Sequence, residues 1–256
     1  MRDLPAEKFE FERDARTKGR FDDRKAAMPY ALVDAVGRGS GVTRILYKYV
    51  AVLATVTIGI SPAFSQPPEG RVSRQSEGSY RLPYADGTTL SVFDDADTHR
   101  PGGALDLIGE PRTGGPHRIV AAADGTIMAL VDRYKEKQSG RAAELCRNNY
   151  LWLSHVNGEW TLHSHMRSGS SSAKAGLKVG DKVRAGQYLG DEGDVGCAML
   201  SHLHFEVAVP TAEGPIDARG FLTDNVRRER MRLPRFCSVA GEYVRKDTRY
   251  TARACK

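Results

Sequence analysis

Ser201–Val207 reads SHLHFEV, two histidines one residue apart with a glutamate two positions beyond the second. Side chains alternate along a strand, so His202, His204 and Glu206 would share one face while Leu203, Phe205 and Val207 pack on the other. Trp160–Met166, WTLHSHM, shows a second pattern of this kind. The same period assigns Thr161, His163 and His165 to one face and Trp160, Leu162 and Ser164 to the other. Two histidine-bearing strands with apolar backs can meet across one groove. A third candidate lies upstream in DTHRPGGALDLIG, where His99 and Asp106 flank a glycine-rich turn. Imidazole nitrogen and carboxylate oxygen bind zinc at about 2.0–2.2 Å, and a catalytic site uses three protein ligands with a fourth place left for water. Two histidines and one carboxylate suffice.

The segments HRPGGALDL, WTLHSHM and SHLHFEV, in that order and with VAAADGTI and KVGDKVRAGQYLG between them, resemble the LytM/lysostaphin family of zinc peptidoglycan endopeptidases. The likeness spans about residues 95–210, and His202–Val207 is its most specific piece. It implies a duplicated-hybrid-motif-like β fold, a Zn(2+) cofactor and, as substrate, the stem peptides of peptidoglycan. It also implies His99, Asp106 and His204 as metal ligands, with His165 and His202 as catalytic histidines that do not bind metal. Family members that have lost ligands act as non-catalytic regulators or activators of another cell-wall hydrolase; that is the alternative reading. One departure stands out. The common family spacing is His-x-x-x-Asp, yet the residue four before Asp106 is Gly102, and His99 lies three further back. His117, after Gly114-Gly115-Pro116, is the substitute ligand. His163 stands where the family often has tyrosine, which implies a groove-lining side chain that does not touch metal. Glu206 is either support for a ligand or a plain strand-edge carboxylate.

The elements that must position these residues are strands and turns. Arg118–Asp132 (RIVAAADGTIMALVD) reads as two strands around Asp124-Gly125, a hairpin dipeptide. Asn149–Met166 (NYLWLSHVNGEWTLHSHM) repeats the device around Asn157-Gly158. Gly176–Gly190 is glycine-punctuated turn and strand; taken alone it also fits a lipoyl- or biotinyl-carrier domain, but no Met-Lys-Met-like hairpin is present to carry the cofactor. DDADTH lacks the glycine and terminal glutamate of a calcium loop. The fold class expected is mainly β, with antiparallel sheets forming an open groove over residues 81–225. A short helix is expected around Asp217–Arg230, and the C-terminal extension is expected to be helical or irregular, with 226–256 a basic tail that is solvated or adheres to anionic wall polymer.

Cys146, Cys197, Cys237 and Cys255 are even in number and none forms Cys-x-x-Cys, which in an exported chain reads as two disulfides. Of the three connectivities, Cys146 with Cys197 and Cys237 with Cys255 is favoured; the second would staple the tail. Export is itself an expectation from the N-terminal part. Arg44 and Lys48 precede the apolar run Tyr49–Ile60, followed by Ser61-Pro62 and Ala63-Phe64-Ser65, the order of a signal peptide over 44–65. The run is shorter than the roughly 20 residues of a membrane span, so no stable span is expected after cleavage and the mature chain belongs in the periplasm or outside the cell. Residues 1–43 then read as a non-native or disordered leader, with initiation at Met28 or Val42, and 66–80 as a linker. The 256 residues, 40% hydrophobic and 27% charged, suffice for one good core. The net charge of +6 is spread through both ends of the chain and not gathered in an aromatic-studded patch, which argues against nucleic acid as a partner.

Overall fold

The computed structural model describes residues 74–138, 146–211, 216–223 and 229–256. The expected leader, signal peptide and most of the linker lie outside them. Strand β10 (Leu203–Ala208) is the axis of the sheet, because its apolar residues Leu203, Phe205 and Val207 are fully buried on one face. On its two sides run β3 (Leu105–Glu110) and β7 (Trp160–Ser164), both antiparallel to it. The sheet continues from β3 to β2 (Thr89–Asp94) and β12 (Arg249–Thr251). From β7 it continues to β6 (Tyr150–Ser154), β5 (Gly125–Val131) and β8 (Lys182–Val183). β11 (Met231–Phe236) pairs with β10 and, in parallel, with β1 (Gln75–Tyr80), while β4 (Arg118–Val120) and β9 (Tyr188–Asp191) form a separate two-stranded sheet. The mainly β, antiparallel fold class therefore holds. Among the described residues, no helix is long and apolar enough to cross a membrane.

The Asn157-Gly158 hairpin forms as expected: Gly158 takes φ +78, which only a residue without Cβ adopts freely, and β6 and β7 pair in register from Ser154–Trp160 to Tyr150–Ser164. The Asp124-Gly125 hairpin does not. β4 pairs with β9, and β5 pairs with β6 and β8, so the two runs part company. Gly125 serves close packing instead, because a Cβ there would stand 2.7 Å from the Ser154 carbonyl oxygen of the neighbouring strand.

Both ends of the folded unit extend beyond 81–225. Gln75–Tyr80, expected as linker, is a strand whose Tyr80 is buried and donates its hydroxyl hydrogen to Glu159 Oε2 at 2.7 Å. Among the described tail residues no helix forms; β11 and β12 are strands, and irregular, partly exposed chain lies between them. Phe236 is fully buried against Phe205, and Ala252 joins the same core. Around Asp217 the described residues form a bridge between Ile216 and Leu222 in place of helix, because the Asp217 carboxylate accepts the Arg219 and Phe221 amides and competes with helical pairing. Both expected disulfides are present, Cys146–Cys197 and Cys237–Cys255.

Cross-strand partners share a face, which places His163 opposite Phe205 and Leu151 on the packed side of the sheet. His163 is fully buried there, its ring 5.3 Å from that of Phe205, with neither ring nitrogen hydrogen-bonded. It does not line a groove. Burial, with the charge of His155 second, pushes it down to about 3, so it is neutral in the folded chain and titrates normally near 6.5 once unfolded. The unfolded state therefore binds the extra proton between these values, and stability is lost as pH falls below about 6.5. We expect the urea midpoint to drop from pH 7 to pH 5, by up to about 1.4 kcal/mol per pH unit from this group. His163→Leu should flatten that slope by about one proton; an unchanged slope would refute the assignment. Truncation after Arg230 should also lower the thermal midpoint sharply in circular dichroism, because it removes the strand that β1 and β10 both pair with.

Candidate metal centre

The pairing of β10 with β3 sets His204 directly across from Asp106, and its pairing with β7 sets His204 across from Ser164. Asp106 Oδ1 lies 3.2 Å from His204 Nδ1, 3.5 Å from His99 Nε2 and 3.4 Å from His202 Nε2. The ligand atoms of His99, Asp106 and His204 all fall within 4.8 Å of one another. Bonds of about 2.05 Å at tetrahedral angles place neighbouring ligand atoms about 3.3 Å apart, so these three side chains fit one zinc ion. The longer His99-to-Asp106 loop is accommodated, and His117 is no substitute: its ring packs over Gly109 with Nε2 3.0 Å from the Pro111 carbonyl. By distance alone His202 stands as near to Asp106 as His99 and His204 do.

What separates the histidines is which nitrogen each one presents. A carbonyl oxygen only accepts, so a ring nitrogen facing it must carry the hydrogen. His99 Nδ1 donates to the Pro101 carbonyl at 2.8 Å, His165 Nδ1 to the Val195 carbonyl at 2.9 Å and His202 Nδ1 to the Leu200 carbonyl at 2.8 Å. Each thereby turns a bare Nε2 outward when neutral. His204 is reversed: its Nε2 lies 3.0 Å from Glu206 Oε1, and Nδ1 faces Asp106. Glu206 is thus buried and orients the His204 ring, across from Leu162 on its face of the sheet.

The electrostatics follow. Burial opposes a charge on His204, yet hydrogen bonds to Asp106 and Glu206 outweigh it and carry the imidazole up to about 9. Burial likewise opposes a charge on Asp106, but the His202 and His204 hydrogen bonds hold it far below the usual carboxylate range. Burial, and then the neighbouring His202 and His204, push His165 down to about 3. Protonated His204 donates Nδ1–H to Asp106 and Nε2–H to Glu206; a metal ion held at Nδ1 would replace the first of these protons and leave the second in place.

His165 joins the centre through a break in the strand. Simple alternation would carry it to the packed face with His163, but β7 ends at Ser164 and His165 takes φ +65, the left-handed region. The turn swings its ring to 4.8 Å from His202 and 5.8 Å from His204. Such a conformation costs of order 1–3 kcal/mol in a residue with Cβ and persists where its surroundings hold it. Asn149 does so, donating to the carbonyl of Met166 at 3.1 Å. His99 is held by the Asp95 turn, whose carboxylate accepts the amides of Asp97, Thr98 and, from the C-terminal segment, Lys246.

The centre opens into a cavity of about 290 Å³. Its walls include residues no periodicity marks: Phe93, Arg100, Asn148, Arg219, Phe221 and the Cys146–Cys197 disulfide. They come from strand β2 and from separate loops that only folding gathers. The disulfide joins one wall to Cys197, between the two residues, Val195 and Leu200, whose carbonyls orient His165 and His202.

Residues 106–218 match the family model described as peptidase family M23, a span that excludes His99 and the outer strands β1, β2, β11 and β12. The solved structures similar to this chain include the catalytic domain of the antimicrobial peptidase lysostaphin from Staphylococcus simulans, 19% identical over 58% of this chain and 89% of that one, with a TM-score of 0.31. The deep-sea M23 metalloprotease pseudoalterin is 17% identical over 69% and 96%, with a TM-score of 0.35. A candidate M23 peptidase from Pseudomonas aeruginosa is 15% identical over 61% of this chain, with a TM-score of 0.35, and this chain covers 54% of its length. No curated protein matches.

Replacing Glu206 with Gln should weaken zinc binding roughly 10- to 100-fold, read by competition with a chelating dye at pH 7. Wild-type affinity in that variant would show that the carboxylate does not orient His204.

Proposed function

We propose that this chain, whose residues 106–218 match the model of peptidase family M23, is an exported zinc metalloendopeptidase that hydrolyses peptide cross-links of peptidoglycan. The observation that carries the reading is the convergence of His99, Asp106 and His204 on one point with the rings of His165 and His202 beside it. His99 and His204 would hold the ion through Nε2 and Nδ1, and Asp106 through its carboxylate. A zinc ion bound there supplies Lewis acidity, acidifying water toward neutrality and polarising a carbonyl.

The chain's own groups supply the proton movements. His165 is neutral at pH 7, with Nδ1–H fixed on the Val195 carbonyl, so its Nε2 lone pair can accept the proton lost by an attacking water. His202 holds Nδ1–H on the Leu200 carbonyl in the same way, with its Nε2 3.4 Å from Asp106 Oδ1. Either imidazole, once protonated at Nε2, can donate to the oxygen of the attacked carbonyl or to the departing amine. No glutamate base of the His-Glu-x-x-His kind is present in the sequence. The cavity's apolar rim strengthens these charge interactions by lowering the local dielectric.

Two disulfides support an oxidising destination, the periplasm or the extracellular space. Anionic wall polymer is a second partner that the basic C-terminal strands can meet. All five family positions are filled, which disfavours the non-catalytic regulator.

The test is zinc content and muropeptide release by residues 66–256. His204→Ala should lose the metal. His165→Ala and His202→Ala should keep it and lose about 10²- to 10⁴-fold in rate. A folded protein without zinc would overturn the reading, and one that holds zinc but releases no muropeptide would favour the regulator.

A further inference from the structure

The loop between His99 and Asp106 holds six residues, Arg100–Leu105, where the pattern it resembles has three. Its first residue is an arginine, and that arginine lines the cavity over the metal centre. Arg100 Nη1 donates to the carbonyls of Asp97 at 2.7 Å and His99 at 2.9 Å. Anchoring one nitrogen on the backbone leaves Nε and Nη2 as a fork, and no carboxylate of the described residues pairs with it. The second guanidinium of the cavity, Arg219, is already engaged by Asp217, with Nε 2.7 Å from Oδ2. Asp106, committed to the metal cluster, is the one acidic side chain lining the cavity among the described residues. The remaining wall is largely apolar, with Phe93, Pro101, Met199, Leu200 and Phe221. An uncompensated guanidinium on such a wall is a receptor for a carboxylate, which it grips with two parallel hydrogen bonds.

We propose that Arg100 is a specificity-determining residue: it binds a free carboxylate borne by the substrate residue next to the scissile bond, so the cross-link cut here is acidic and not a bridge of glycines. The inference rests on the peptidase reading above and names the substrate class for the same groove. A glycine bridge carries no side chain and no free carboxylate, and it would leave both the fork and the apolar wall without a partner.

The experiment uses the zinc-loaded protein and two synthetic branched stem peptides, identical except for a carboxylate or a carboxamide on the residue beside the scissile bond. Cleavage is followed by chromatography. Affinity is measured by calorimetry on analogues whose scissile amide is N-methylated. We expect the wild type to prefer the carboxylate by about ten- to hundredfold in kcat/KM and in Kd, the range of a hydrogen-bonded charge pair. In Arg100→Gln the ratio should fall close to one, and in Arg100→Lys it should be intermediate, because a point charge lacks the fork. Equal treatment of the two peptides by the wild type, or a preference that survives in Arg100→Gln, would overturn the proposal. If neither peptide is cut, the peptidase reading fails instead, and the calorimetric ratio with its loss in Arg100→Gln still decides what Arg100 does.

Discussion

The site depends on one carboxylate oxygen. Asp106 Oδ1 faces imidazole nitrogens of His99, His202 and His204 at 3.2–3.5 Å, and it does so because β3, which carries it, pairs antiparallel with β10 in the register that sets Asp106 across from His204. A slip of one residue would turn His204 and Glu206 into the packed face and bring Leu203 and Phe205 out. Burial of Leu203, Phe205 and Val207 on the other side therefore fixes the register that assembles the ligands. Packing and chemistry are two faces of the same strand.

Around that oxygen, each imidazole is oriented by its second nitrogen. Three lean on backbone carbonyls, which are rigid parts of the loops that carry them, and the fourth leans on Glu206. This arrangement decides the tautomers of the neutral rings before any ligand arrives. The loops are fastened in turn: Val195 and Leu200 flank Cys197 of one disulfide, and the Asp95 turn behind His99 is tied to Lys246, within the segment closed by the other. The C-terminal segment thus braces the turn that carries His99 as well as contributing to the core.

Above the histidine cluster lies a cavity with one exposed guanidinium and a largely apolar wall. Its charge comes from a loop of unusual length and its apolar character from side chains on separate segments. Arg100 sits exposed beside the apolar side chains, so its charge is within reach of a ligand entering the cavity.

Much was legible in the sequence by itself. Period-two alternation in SHLHFEV assigned His204 and Glu206 to one face because an apolar strand has only two sides. Asn157-Gly158 announced its hairpin because left-handed backbone is cheap without Cβ, and the even cysteines paired as their positions suggested. Alternation failed at His163 and His165, since the left-handed turn at His165 sends neighbours of the same parity to opposite faces, a backbone choice that residue type does not encode. Likewise, Asp124-Gly125 satisfied a local rule that strand pairing overrode, and the basic tail concealed Phe236, whose burial depends on the distant Phe205. The sequence on its own determined which residues could bind and move protons. Only the tertiary structure decided which of them meet, because that depends on register and loop anchoring between segments about a hundred residues apart, as His204 and Asp106 are.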